Sequence, residues 1–181
     1  TRATVEAVCC IDKQAILYVG IEERGATRFE LRPAPNLEVA LPEDVMSEWI
    51  SVYGNDFSEF GNYNCFQLND THPACAVPEL MRLLMDEQGF EWADAWKITT
   101  QCLAYTNHTL LPEALERWSV SLFSRLLPRL MDIIREIDRQ FKIQLAKLWP
   151  EDVAIRDRMS LIEGGDQPHV RMAYLAIVGS F

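Results

Sequence analysis

A dense polar cluster, Tyr105-Thr106-Asn107-His108-Thr109, follows an apolar segment and precedes a renewed apolar rhythm at Leu111, Leu115 and Trp118. That i, i+4, i+7 spacing puts the three residues on one side of a helix, so a helix is expected over 111–118. Pro112 suits its first turn, where the missing N–H costs nothing, and Glu113 and Glu116 complement the positive end of the helix dipole. A chain that buries both flanking segments must place such a cluster at a turn, where side chains and free backbone amides stay accessible. A capped interhelical turn accounts for this much.

A second polar run upstream, Gln67-Leu68-Asn69-Asp70-Thr71-His72-Pro73, also lies between an apolar stretch and a helical pattern. The two runs hold two of the chain's three histidines, together with an aspartate, two asparagines and three threonines. On an extended segment Asp70 and His72, two apart, would point the same way, and the carboxylate could orient the imidazole. His108 would join them if both turns sit at the same end of a sheet, which is where ligands bind in open α/β sheets.

Composition excludes several classes. The chain has 181 residues, 49 % of them hydrophobic, enough for one domain or two small ones with a real core. A formal net charge of −10 argues against nucleic acid, which requires clustered Lys and Arg. No apolar run reaches the length of a membrane span, and no signal peptide opens the chain. Five cysteines, with only Cys9 and Cys10 adjacent and no C-x-x-C spacing, read as small thiols in a reducing cytosol. The start at Thr1 and the stop in an apolar run suggest a piece of something longer.

Along the chain, residues 4–11 and 15–22 read as a hairpin around Asp12-Lys13-Gln14, followed by a turn at Glu23-Arg24-Gly25 and a third strand over 27–32. Pro33 to Asn36 should break that strand, residues 37–41 form a short edge strand, and Pro42 opens a helix to about Tyr53. Residues 54–64 read as a loop and as the boundary between a β-rich block, 1–64, and a helix-rich segment, 65–181. In the second segment a strand over 65–68 precedes helices over 77–88, closed by Gly89, and 92–103. Short helices over 111–118 and 119–127 follow, then a long one from Pro128, with Ile133, Ile134, Ile137, Phe141, Leu145 and Leu148 at a 3.6-residue period. A last helix over 152–159, a turn at Gly164-Gly165 and a closing strand over 170–178 complete the pattern. The expected class is α/β: a helix-rich segment flanked by strands that could lie parallel in one sheet, after an N-terminal β-rich block.

Several motifs in order carry a resemblance. Gln67 to Pro73, Val77-Pro78-Glu79-Leu80-Met81-Arg82, residues 104–118, Leu127-Pro128-Arg129, Ile133-Ile134-Arg135-Glu136-Ile137, Met159-Ser160-Leu161-Ile162 and residues 170–181 together resemble the α-1,4-glucan phosphorylases. The resemblance covers about 65–181 and not 1–64, and implies part of a glycosyltransferase-type domain. It implies transfer of a glucosyl unit from the end of an α-1,4-glucan to inorganic phosphate, giving α-glucose 1-phosphate, by a cytoplasmic homodimer dependent on pyridoxal phosphate. In that family the histidine matching His108 contacts the glucosyl residue at the cleavage point, largely through its backbone carbonyl. Positions matching Asp70, His72, Thr109, Ala114 and Glu116 line the same pocket. The cofactor lysine and the glycine-rich phosphate loop of the family have no counterpart in this sequence, and Lys97, Lys142 and Lys147 read as surface residues. No cofactor and no turnover are therefore expected of these 181 residues alone.

The rival reading is a non-catalytic α/β domain, excised, chimeric or designed, with at most weak sugar binding. Asp70 paired with Glu113 or Glu116 as a glycosidase couple, or His72, His108 and Asp70 as a metal site without any H-x-x-x-H spacing, are weaker alternatives. His169 should be solvent-exposed, and Trp92, Trp96, Trp118 and Trp149 should pack in the core rather than stack on sugar.

Overall fold

The computed structural model describes residues 2–8, 15–23, 26–34, 40–109, 111–112 and 115–180. Cys9, Cys10, the turns at 12–14 and 24–25, Glu113 and Ala114 lie outside them. The mixed α/β class expected from the sequence is what is found.

Strands β1 (Arg2–Val8), β2 (Ala15–Glu23) and β3 (Ala26–Ala34) pair antiparallel in sequence order. Pro33 does not end β3: the strand runs on to Ala34 at the edge of the sheet, where a residue without an N–H is tolerated. The helix α1 (Ala40–Tyr53) starts two residues before Pro42 and takes up the end of the expected 37–41 edge strand. Within the expected loop a short α2 (Phe60–Tyr63) forms, and β4 (Asn64–Asn69) then enters the sheet parallel to β1. The sheet thus continues across the boundary expected near residue 64.

The helices α3 (Ala76–Arg82) and α4 (Trp92–Cys102) are joined by a π-helical turn, Leu83–Glu87. Gly89, at φ 76°, supplies the left-handed residue that ends this helix, as its position in the sequence indicates. The crossover from β4 returns the chain as β5 (Leu103–Thr106), which lies parallel to β4 at the far edge of the order β3-β2-β1-β4-β5.

The core forms where α3 meets the long α6 (Pro128–Leu148). Val77, Leu80 and Met81 on one helix and Met131 and Ile134 on the other are fully buried. The period of α6 is borne out at Ile133, Ile134, Ile137 and Leu145, with Phe141 half-buried, but Leu148 is 66 % exposed at the helix end. Gly179 is required here, since a Cβ on it would stand 2.5 Å from Val77 Cγ1.

Two expectations fail. No helix spans 111–118: Leu111 is exposed, and Arg117–Ser119 is strand β6, paired antiparallel with β8 (His169–Arg171). The Met172 N–H donates to the Glu116 carbonyl at 3.1 Å, so this backbone is committed to its neighbour rather than to a helical ladder. Nor do residues 170–178 form a closing strand parallel to β4. Only three residues pair, in a small sheet β6-β8-β7 with β7 (Ile162–Glu163), before α8 (Met172–Val178) begins. Met172, Ala173, Leu175 and Ala176 are all buried, and a run that is apolar throughout shows no period by which to choose helix from strand. The remaining helices are α5 (Val120–Leu126), capped by Ser119, and α7 (Val153–Met159), capped by Asp152.

Candidate functional site

The two polar runs meet because β4 and β5 are parallel neighbours, so their carboxyl ends release the chain at the same edge of the sheet. Just past the ladder the Asp70 N–H donates to the Thr106 carbonyl at 2.8 Å, and Gln67 Nε2 donates to Thr106 Oγ1 at 3.0 Å. The chain then turns sharply. Asp70 has φ 65°, a conformation that Asp and Asn tolerate better than most residues because their side chains bond locally.

That turn changes the expected geometry. Asp70 and His72 do not lie on an extended segment, and their side chains find different partners. The Asp70 carboxylate accepts from the His108 backbone N–H at 3.4 Å, while His108 Nε2 lies 3.2 Å from Asn69 Oδ1. His72 Nδ1 lies 3.4 Å from Glu116 Oε2, and the same oxygen accepts from the buried Thr71 hydroxyl at 2.6 Å. The result is two linked groups at one sheet edge, Asn69-Asp70-His108 and Thr71-His72-Glu116. His72 and His108 are exposed at their surface, with Asp70 and Glu116 half-buried beneath.

Thr109 stands beside His108. Its carbonyl accepts from Asn107 Nδ2 at 2.8 Å and its hydroxyl from the Leu111 N–H at 3.4 Å, which folds the turn back on itself. Behind it, Tyr105 Oη and Asn107 Oδ1 are buried without a hydrogen-bond partner among the described residues. Burial, and then the charge of Asp70, pushes the Tyr105 phenol above its ordinary range, so it stays a protonated donor. The expected set Asp70, His72, His108, Thr109 and Glu116 is thus brought to one edge. Asn69 and Thr71, which bind its members directly, were legible only as parts of the polar run.

Of the weaker alternatives, the Asp70–Glu113 pair falls on a residue outside the described ones. Glu116 is engaged by Thr71 and His72 rather than poised opposite Asp70, and no group of three metal-ligating side chains forms among the described residues. His169 is half-buried on β8, not exposed. Trp92 and Trp96 stack at 6.4 Å and line an apolar groove of about 500 Å³ with Ile137 and Phe141. Trp118 packs on Phe123 from a strand, and Trp149 is 37 % exposed.

Comparison with known proteins decides the family. The model of the carbohydrate phosphorylase family matches residues 39–181. The chain belongs to the carbohydrate phosphorylases. It is 49 % identical over 138 residues to glycogen phosphorylase 2 of Dictyostelium discoideum, a match covering 76 % of this chain and 14 % of that protein. It is 52 % identical over 124 residues to the brain form of glycogen phosphorylase of Ovis aries and 50 % over 125 residues to the muscle form, each match covering 15 % of the relative. This phosphorylase chain therefore spans about a seventh of the length of those relatives. The match also begins earlier than residue 65, taking in α1, whose Met46 and Trp49 are buried in the core.

The described lysines do not fit a Schiff-base site. Lys97 and Lys147 are exposed on helices, and Lys142 is held by Asp138 at 2.6 Å. No helix among the described residues is long and apolar enough to cross a membrane.

Proposed function

We propose that this chain supplies the glucosyl-binding turns of an α-glucan phosphorylase, an enzyme that moves a glucosyl unit from an α-1,4-glucan end to inorganic phosphate. The observation that carries the reading is the convergence of Asp70 and His108 at the carboxyl ends of two parallel strands, in a chain about half identical to glycogen phosphorylases. His108 is the residue at the cleavage point, with its main chain anchored by Asp70. His72, Thr109, Ala114 and Glu116 line the pocket. A neutral sugar needs donors and acceptors with little net charge, and Asp, Asn, His and Thr at a half-exposed edge supply them.

The phosphate and pyridoxal phosphate sites belong, on this reading, to residues outside these 181, so the isolated chain gives no turnover. The complete enzyme is a cytosolic homodimer. In a polypeptide that contains this chain and the rest of the enzyme, His108→Ala should lower glucosyl transfer by roughly tenfold or more while leaving cofactor absorbance intact. Unchanged kinetics would remove His108 from the site.

A further inference from the structure

We propose that Thr71 is a positioning residue: its buried hydroxyl fixes the Glu116 carboxylate at the wall of the site, and through that carboxylate it sets the affinity for a glucan end. The inference deepens the functional reading above and rests on it. The left-handed turn at Asp70, φ 65°, gives Thr71 a different fate from its neighbours. Asp70 is half-buried and His72 exposed, whereas Thr71 is 0 % exposed. Its carbonyl accepts from the Ala74 N–H at 3.1 Å, which anchors the residue's backbone, and its hydroxyl donates to Glu116 Oε2 at 2.6 Å. A hydroxyl bond of that length to a carboxylate is charge-assisted and among the stronger kinds.

The bond spans 45 residues and joins two sheets, because Thr71 follows β4 of the five-stranded sheet and Glu116 precedes β6 of the three-stranded one. On the far side the Met172 N–H donates to the Glu116 carbonyl at 3.1 Å. Glu116 is thus gripped at its main chain by α8 and at its side chain by the turn after β4. With a side chain 15 % exposed, the carboxylate needs a donor in place, and without one it is better solvated by turning away toward water. Thr71 therefore sets where that charge stands relative to Asp70 and His108 on the first sheet.

Isothermal titration of maltooligosaccharide into the intact chain, at a temperature where every variant is folded by circular dichroism, tests this. Thr71→Val keeps the shape and removes the hydroxyl, and should weaken binding by roughly tenfold, the loss typical of one hydrogen bond to a charged group. Thr71→Ser keeps the hydroxyl and should bind as the wild type does. In a Glu116→Ala background Thr71→Val should have no further effect, since Thr71 acts through that carboxylate. A residue needed only for folding would lower the melting temperature on Thr71→Val and leave affinity unchanged. That result, or Thr71→Ser as weak as Thr71→Val, or Thr71→Val costing as much in the Glu116→Ala background as in the wild type, would overturn the inference while the functional reading stands. A wild-type chain that takes up no sugar would overturn the reading and the inference with it. If Glu116→Ala fails to fold or binds too weakly to titrate, the contrast between Thr71→Ser and Thr71→Val decides.

Discussion

Two concavities of this molecule differ in kind. The groove beside α4 and α6 is lined by Trp92, Trp96, Ile137, Phe141, Met159 and Ile177, with Thr100 and two glutamines at its margin. The edge at the ends of β4 and β5 gathers two carboxylates, two imidazoles and several hydroxyls from turns about 38 residues apart in sequence. Recognition of a polar ligand follows convergent donors and acceptors, so the proposed function places the ligand at the strand-end turns rather than in the groove.

That division is open to experiment. The largest effect is expected on the groove side. Ile137 is 2 % exposed and sits at its floor, so Ile137→Ala should cost about 2–5 kcal/mol in urea unfolding and leave sugar affinity unchanged. A fall in affinity as large as that at the turns would blur the distinction. Gly179→Ala should come next, at about 1–3 kcal/mol, because the new methyl meets Val77 and shifts α8, which brings Ile177 and Val178 to the groove. On the turn side, Thr71→Val removes a 2.6 Å bond to a half-buried carboxylate and should cost about 1–1.5 kcal/mol by thermal unfolding. Its effect on sugar binding should exceed that of either groove variant.

The smallest effect lies away from both. Arg139 and then Gln140 hydrogen-bond Glu136 and hold its carboxyl at about 2, below the ordinary 4.5. A depressed carboxylate contributes stability above its unfolded value and loses it as the pH falls, so this pair's share should vanish between 4.5 and about 2. The pair is largely solvent-exposed, so its share should be the smallest of these effects, read as the difference between wild type and Glu136→Gln across that range.

The sequence was most readable where a pattern ran long. The 21 residues of α6 keep one apolar face, and α4 and Gly89 announce themselves similarly. Short elements were not readable. The four residues of β5 look like a helix tail followed by a polar cluster, and they become a strand only because β4 is there to pair with. The 111–118 stretch carries a real helical rhythm, yet pairing of β6 with β8 overrides it. α8 is buried along Met172, Ala173, Leu175 and Ala176, so its run offers no contrast to read.

The site divides the same way. The sequence allows Asp70 and His108 to meet only if both turns sit at one end of a sheet, and the strand that satisfies this condition, β5, was not legible in it. The parts of Asn69 and Thr71 depend on a single residue at φ 65°, which turns the chain so that neighbours in sequence serve different histidines. Two-residue alternation cannot anticipate such a turn.

The central claim is that the strand-end turns, and not the groove, take up a glucan end. A thermal melt followed by near-ultraviolet circular dichroism, with and without maltooligosaccharide, tests it most directly when run on the wild type and on Asp70→Asn. Asn tolerates the same left-handed backbone, so the variant's own melting temperature should stay within the equivalent of about 0.5 kcal/mol. Sugar at a hundredfold excess over its dissociation constant should stabilise the wild type by about 2.7 kcal/mol and the variant by much less. Equal stabilisation of both, or a cooperative wild-type transition indifferent to sugar, would contradict the account.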